Sequence, residues 1–517
     1  MELDSSRAQL SDREIMKALT GLLLALFSSV SSTMIVTNAL PSIVADLGGD
    51  QAQYTWLVAA SLLTMTVSTP LWGRFADQFD KRKLVQVALA LFVAGSMAAG
   101  TAQSIGMLIG MRAVQGVAMG GLLVTTQAIV GSIAPPRQGG RYGGYVATVM
   151  ALGTLCGPLI GGAIVDTEQL GWRWCFFVVV PFAVASLLIL HRHLRVPGVR
   201  RRTEVDYSGA VLTTLTALVP SMWVTTAGRA YPWLSWHSAA FLAGTLLSGA
   251  LLRHVERRHP EAVVPPSVTR DRTTALAIVG SVAVGMVMFS SIVFLSQYFQ
   301  MARGYSPTEA GLLGMPMMVG TAAGTLGSGH LITRFGHWKV FLVGGSALLA
   351  AGFALLGLLG HGPPTSYVVA ATILVGLGIG AVLQNYVLVV QNTMRADRVG
   401  AGSASISFFR SLGGVTGVSL LGAIVTHRVA GVEGRGLPAR DTYADAIGTV
   451  FAVSAGLALV SLLASLAIKP VPLRGTHDPL DRAAPAGGHQ PGPLRRIPGT
   501  KAGRIRMDQP DDPKERT

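Results

Sequence analysis

Charge is scarce in this chain. Only 13% of its 517 residues are Asp, Glu, Lys or Arg, about half the ~25% of an ordinary soluble domain. With 50% hydrophobic residues, so few charges cannot cover a water-soluble globule, which excludes an ordinary globular enzyme. Cysteine is nearly absent: Cys156 and Cys175 make neither a disulfide framework nor a metal cluster. The sequence also lacks a His/Glu metal pattern, a nucleophile–base set and a phosphate-binding Gly-Lys-Ser loop. Acids are missing where they would matter most, since no Asp or Glu falls in the middle of a long apolar run.

What the chain has instead is apolar runs of membrane length. A spanning helix needs ~20 mostly apolar residues, because lipid offers no hydrogen bonds to an open backbone. Fourteen such runs follow one another, the first over 18–40 and the last over 446–468. The first is longer than a signal-peptide core and has no clear small-residue cleavage site, so it reads as a retained span. An even number puts both termini on one side. With the N-terminus cytoplasmic, 33 of the 41 Lys and Arg fall in inside segments and 6 in outside loops. The remaining two, Arg112 and Arg410, lie within spans. The positive-inside rule therefore predicts a multi-pass protein of the cell (inner) membrane with both termini cytoplasmic. The net charge of +15 becomes a topology signal, which argues against a nucleic-acid partner.

The chain also repeats itself. Gly153–Gly157 and Gly162–Val165 reappear 260 positions later as Gly413–Gly417 and Gly422–Val425, and at the same offset Gly116 and Gly120 match Gly376 and Gly380. Gly73 to Lys83 matches Gly329 to Lys339 at an offset of 256. These registers predict an all-α membrane protein of fourteen helices: two six-helix bundles related by a pseudo-two-fold axis, plus two inserted helices. The segments are a cytoplasmic stretch over 1–17, a first bundle over 18–195, the inserted pair over 207–252, a second bundle over 273–468, and a disordered basic cytoplasmic tail over 469–517. Parallel repeats of this kind characterise secondary transporters that expose a site between the halves alternately to each side.

With these residues in view, the chain resembles the major facilitator superfamily, and within it the fourteen-span drug–proton antiporters, over about residues 15–468. Gly73-Arg-Phe-Ala-Asp77-Gln-Phe-Asp-Lys81-Arg82-Lys83 is close to the superfamily's G-x-L-A-D-R-x-G-R-K signature, with Gln78 and Asp80 in place of Arg and Gly. The resemblance implies gating by Gly73, Asp77, Lys81 and Arg82, whose contacts close the inner side of such proteins. Arg112-Ala-Val-Gln115-Gly116 matches the family's R-x-x-Q-G motif and implies a part for Arg112 in proton coupling. Gly153, Gly157, Pro158, Gly161 and Gly162 form a G-x-x-x-G-P-x-x-G-G string that resembles the family's exporter motif. Glycines at 153, 157 and 161 share one helix face, where two backbones can approach closely.

One part of the family pattern is missing. Ser32 stands where many relatives carry an acid in the first span. A proton antiporter needs a group whose protonation changes with the side it faces, and the remaining acids near span ends make Asp77 and Asp166 the proton-coupling candidates. Polar residues within or at the ends of spans supply the pocket candidates: Ser32, Asn38, Gln115, Gln127, Gln297, Gln384, Asn385 and Arg410. Two arginines and no mid-span carboxylate favour neutral or weakly anionic cargo over dications. The expected function is export of hydrophobic drug-like or antibiotic compounds by alternating access, driven by proton influx, without a cofactor or metal and as a monomer in the lipid bilayer. The alternatives are uptake of a small metabolite by the same fold and, from another class, a multi-pass sensor or enzyme.

Overall fold

The computed structural model describes residues 12–133, 139–194, 234–256, 271–358, 363–393, 399–430 and 439–471, with scattered positions over 212–232. Thirteen helices among these residues are long and apolar enough to cross a membrane. They are α1 (Asp12–Asp46), α2 (Gln51–Gln78), α3 (Lys81–Gly100), α4 (Ile105–Ile133), α5 (Gly139–Asp166) and α6 (Trp174–His193) in the first half. Then come α7 (Trp236–Glu256), α8 (Arg272–Gln297, extended by a π turn over Tyr298–Ala302), α9 (Pro307–Phe335), α10 (Trp338–Gly357), α11 (Thr365–Thr393), α12 (Val399–Ala430) and α13 (Ala439–Ala467). No strand occurs among the described residues. The first inserted span, expected over 207–227, falls largely outside them, as do 1–11 and 472–517.

The connections are built from local cap chemistry. Asp50 accepts the backbone N–H of Gln53 at 2.8 Å while the Gln53 side chain accepts from Asp50 N, starting α2 with a capping box. Ser306 and Glu309 repeat the device at α9, with Pro307 in the first turn. Asp80 and Asp271 cap α3 and α8. Gly336 ends α9 at φ 73°, a left-handed conformation that costs glycine little.

Packing repeats between the halves. In the first, α2 packs on α4, α1 on α5 and α6, and α3 on α4 and α6; in the second, α9 packs on α11, α8 on α12 and α13, and α10 on α11 and α13. The glycine matches in the sequence sit at these equivalent joints. A Cβ at Gly116 would lie 2.2 Å from Ser61 O on α2, and at Gly376 2.1 Å from Met317 O on α9. Gly157 faces Met34 on α1, and Gly417 faces Met286 on α8. Between halves, α5 meets α9, α12 meets α2, and α1 touches α8, a pairing that also obeys the two-fold relation. Helix α7 stands apart: only 11% of its apolar window is buried.

Aromatic residues at span ends divide. Trp174 and Trp236 are exposed, as interface anchors should be. Trp172 is instead buried, and its Nε1 donates to Asp46 at 2.8 Å beneath the stacked guanidinium of Arg173. Trp233 lies outside the described residues.

Candidate functional site

Polar contacts between the halves gather at the end that holds the α1–α2, α5–α6 and α8–α9 connections. Asn38, 2% exposed within α1, is their hub. Its Nδ2 donates to Pro158 O on α5 at 2.9 Å and to Pro307 O on α9 at 2.7 Å. Its Oδ1 accepts from Ser296 Oγ at 2.8 Å, and its backbone carbonyl accepts from Gln300 Nε2 at 2.9 Å. Ser296 lies 258 positions after Asn38, between the repeat offsets of 256 and 260, so residues at closely corresponding places in the two halves meet. The π turn of α8 carries Gln300 and brings it onto Asn38.

Two further contacts flank the hub. Gln297 and Gln51 exchange side-chain hydrogen bonds at 2.6 and 3.4 Å. Asp166, at the end of α5, accepts from Ser306 Oγ at 3.0 Å and from Thr308 N at 2.9 Å. A carboxylate there meets the free N–H groups and positive dipole end of α9. Next to it Gly162 abuts Thr308, while its repeat mate Gly422 abuts Thr55 on α2. The exporter-like string is thus an α1–α5 joint along its length, where Gly153 faces Val30, Gly157 faces Met34 and Gly161 faces Ile35, and an inter-half joint at its last residue, Gly162.

Beneath this joined end lies a narrow cleft of about 30 Å3, bordered by Met34, Asn38 and Pro158 from the first half and by Ile292, Met317 and Met318 from the second. Apolar walls with flexible thioethers suit cargo of variable shape.

Arg112 occupies a separate position inside the first half. It is 1% exposed; Nε donates to Leu57 O at 3.2 Å, NH1 to Gln115 Oε1 at 3.1 Å and NH2 to Ser61 Oγ at 2.8 Å. Gln115 in turn donates to Ser96 Oγ at 2.9 Å, tying α4 to α2 and α3. No described Asp or Glu is buried, so polar neutral groups alone surround this charge.

The remaining sequence candidates are scattered. Lys81 reaches Ala128 O on α4 at 3.4 Å and Arg82 reaches His191 O in the last turn of α6, both within the first half. A Cβ at Gly73 would meet Val124 at an ordinary 3.7 Å, so no close approach depends on that glycine. Asp77 lies on α2, but its side chain is outside the described residues. Gln127 and Gln384 are exposed, and the buried Asn385 bonds back to Ala381 O in its own helix. Ser32 is fully buried with its hydroxyl unpartnered, as is Ser290, again 258 positions on. Arg410 is only partly covered and stands clear of the joined end. The sequence reading missed Gln51, Ser296, Gln300, Ser306 and Thr308. Only the Ser306–Glu309 capping box had a local signature.

Known proteins share both sequence and shape with this chain. It is 29% identical over 491 residues to an uncharacterized MFS-type transporter of Mycobacterium tuberculosis, covering 89% of this chain and 70% of that protein. Multidrug transporter protein MdtP of Bacillus subtilis is 30% identical over 414 residues, 79% of this chain and 75% of its own length. Efflux pump dotC of Dothistroma septosporum is 27% identical over 417 residues, 80% of this chain and 70% of that protein. Among solved structures, a bacterial homologue of the human lysosomal transporter Spinster superposes with a TM-score of 0.66 at 14% identity, over 88% of this chain and 97% of that one. The model of the Major Facilitator Superfamily matches residues 22–418. The thirteen membrane-length helices, the repeated packing and this match agree: the chain is a multi-pass membrane transporter of the Major Facilitator Superfamily.

Proposed function

We propose that this transporter exports hydrophobic, drug-like or antibiotic compounds by alternating access, using inward proton flow. The observation that carries the reading is the joined end: a removable set of hydrogen bonds holds the halves together directly above a methionine-bordered cleft. Such contacts can close one side while cargo enters from the other, and their exchange for contacts at the opposite end reverses access. The excess of Lys and Arg puts the joined end outside and the termini in the cytoplasm of an inner membrane. MdtP, a relative whose name is that of a multidrug transporter, supports export.

Asp166 is the proton acceptor in this reading. Protonation cancels its attraction for the N-terminus of α9 and loosens the outer contact. Arg112 holds α2, α3 and α4 together as one rigid unit that moves with the first half. The protein works as a monomer on small hydrophobic cargo, with the proton gradient and no cofactor as its energy source.

The test is dye accumulation in everted membrane vesicles with an acid interior. The parent concentrates a hydrophobic dye, and Asp166→Asn keeps dye exchange but loses its dependence on the gradient. Accumulation only in right-side-out vesicles would overturn export in favour of uptake.

A further inference from the structure

Two guanidinium groups lie inside spans, and the fold treats them oppositely. Arg112 is covered and spends its donors on three protein acceptors. Arg410 has no hydrogen-bond partner among the described residues, although protein covers part of it. It is the eleventh residue after Val399 in a 32-residue helix, about 16 Å along the axis. It lies eight residues into the membrane-length span Gly402–Val429, where an unpaired charge is costly and marks a functional position.

Its location relates it to the cleft. The Arg410 carbonyl seats against α8 at Gly285, where a Cβ would lie 2.0 Å away. Seven residues further along α8, Ile292 borders the cleft, roughly 10 Å on. Arg410 therefore stands below the cleft, on the side away from the hydrogen bonds that join the halves. We propose that Arg410 is an anion subsite on the transport pathway, receiving the carboxylate of an amphiphilic cargo whose apolar body enters the methionine-bordered cleft as the halves part. The inference deepens the export reading by naming the class of cargo.

The physical reason is charge balance. A guanidinium in a low-dielectric interior needs a counter-charge, and no described carboxylate is buried to supply it. An acidic cargo brings one. A neutral analogue gains the cleft contacts alone, and a cationic analogue meets repulsion. Ranking therefore runs acid, then neutral, then cation.

The experiment titrates the purified full-length protein with three fluorescent probes of like apolar body: dansylglycine, dansylglycinamide and dansyl-ethylenediamine. The parent binds the acid about 10–100-fold more tightly than the amide, as a charge-assisted hydrogen bond allows. R410Q removes that gap by weakening the acid alone, and R410K keeps most of it. Undiminished amide binding shows that R410Q is folded. Equal binding of acid and amide by the parent overturns the proposal, as does a gap that survives R410Q or parallel loss of both probes in R410Q and R410K. Absence of vesicle efflux alongside an intact binding gap would sink the export reading and leave the anion subsite standing.

Discussion

A single methyl group at Gly162 should unseat the contact between the halves. A Cβ there would lie 2.5 Å from Thr308 Cα, 2.6 Å from Thr308 N and 2.7 Å from Pro307 O. Ordinary carbon–carbon contact is ~3.5–4.0 Å, so the two helices must separate by about 1 Å. The obstacle is backbone, held by the capping box of Ser306 and Glu309, and no rotamer change relieves it. Overpacking of this kind costs about 1–3 kcal/mol, a population shift of roughly 5–150-fold away from the joined state. Gly422 offers the contrast. The three atoms nearest its Cβ would all belong to the side chain of Thr55, with Oγ1 and Cγ2 at 2.5 Å. Spin labels at Gln103→Cys and Leu358→Cys, with Cys156 and Cys175 replaced by Ser, report the separation of the halves by electron–electron distance measurement. Gly162→Ala lengthens and broadens that distance. Gly422→Ala does so less, and Thr55→Ala restores the parental distribution. If Gly162→Ala leaves the distances unchanged, or Thr308→Ala rescues it as fully, the argument from backbone contact is wrong.

Other consequences of the geometry are open to measurement. Asn38→Leu leaves Ser296 and Gln300 without their partner, and at ~1–3 kcal/mol for each orphaned buried group it lowers the melting temperature in detergent by several degrees. Asn38→Asp removes the two amide donations to Pro158 O and Pro307 O and lowers it too. Ser306→Ala and Asp166→Asn share one hydrogen bond, so their effects on stability combine non-additively, with a coupling of about 0.5–1 kcal/mol in a double-mutant cycle; strict additivity would deny the bond. Arg112→Lys cannot reach Leu57 O, Ser61 and Gln115 together, because an ammonium lacks the planar fork. Export by this variant falls about tenfold or more in the vesicle assay, while Arg173→Lys, at a half-exposed ion pair with Asp46, changes it little.

Much of the architecture was legible in the residues alone. Apolar runs of fixed length count the spans, because lipid forbids any other treatment of a polar backbone. Thirteen of the fourteen expected helices stand in the described residues, and the other lies where few residues are described. Repeated glycines announced two similar halves because only glycine admits backbone contact at those joints, and Gly116, Gly120, Gly157 and Gly162 all sit opposite a neighbouring helix.

Partnership was another matter. Asn38, a pocket candidate in the sequence, borders the cleft and is also an inter-half hub; Lys81 and Arg82, gate candidates, meet backbone carbonyls of their own half in this state. Arg112 and Arg410 were alike as letters, yet one makes three hydrogen bonds to protein and the other has no described hydrogen-bond partner. Sequence pattern reports whether a residue leaves water for lipid or protein, which hydropathy alone decides. Which polar group answers which depends on the rotation and depth of each helix against its neighbours, set by side-chain packing across hundreds of residues. Only the assembled bundle settles that, as when a π turn carries Gln300 onto a residue 262 positions away.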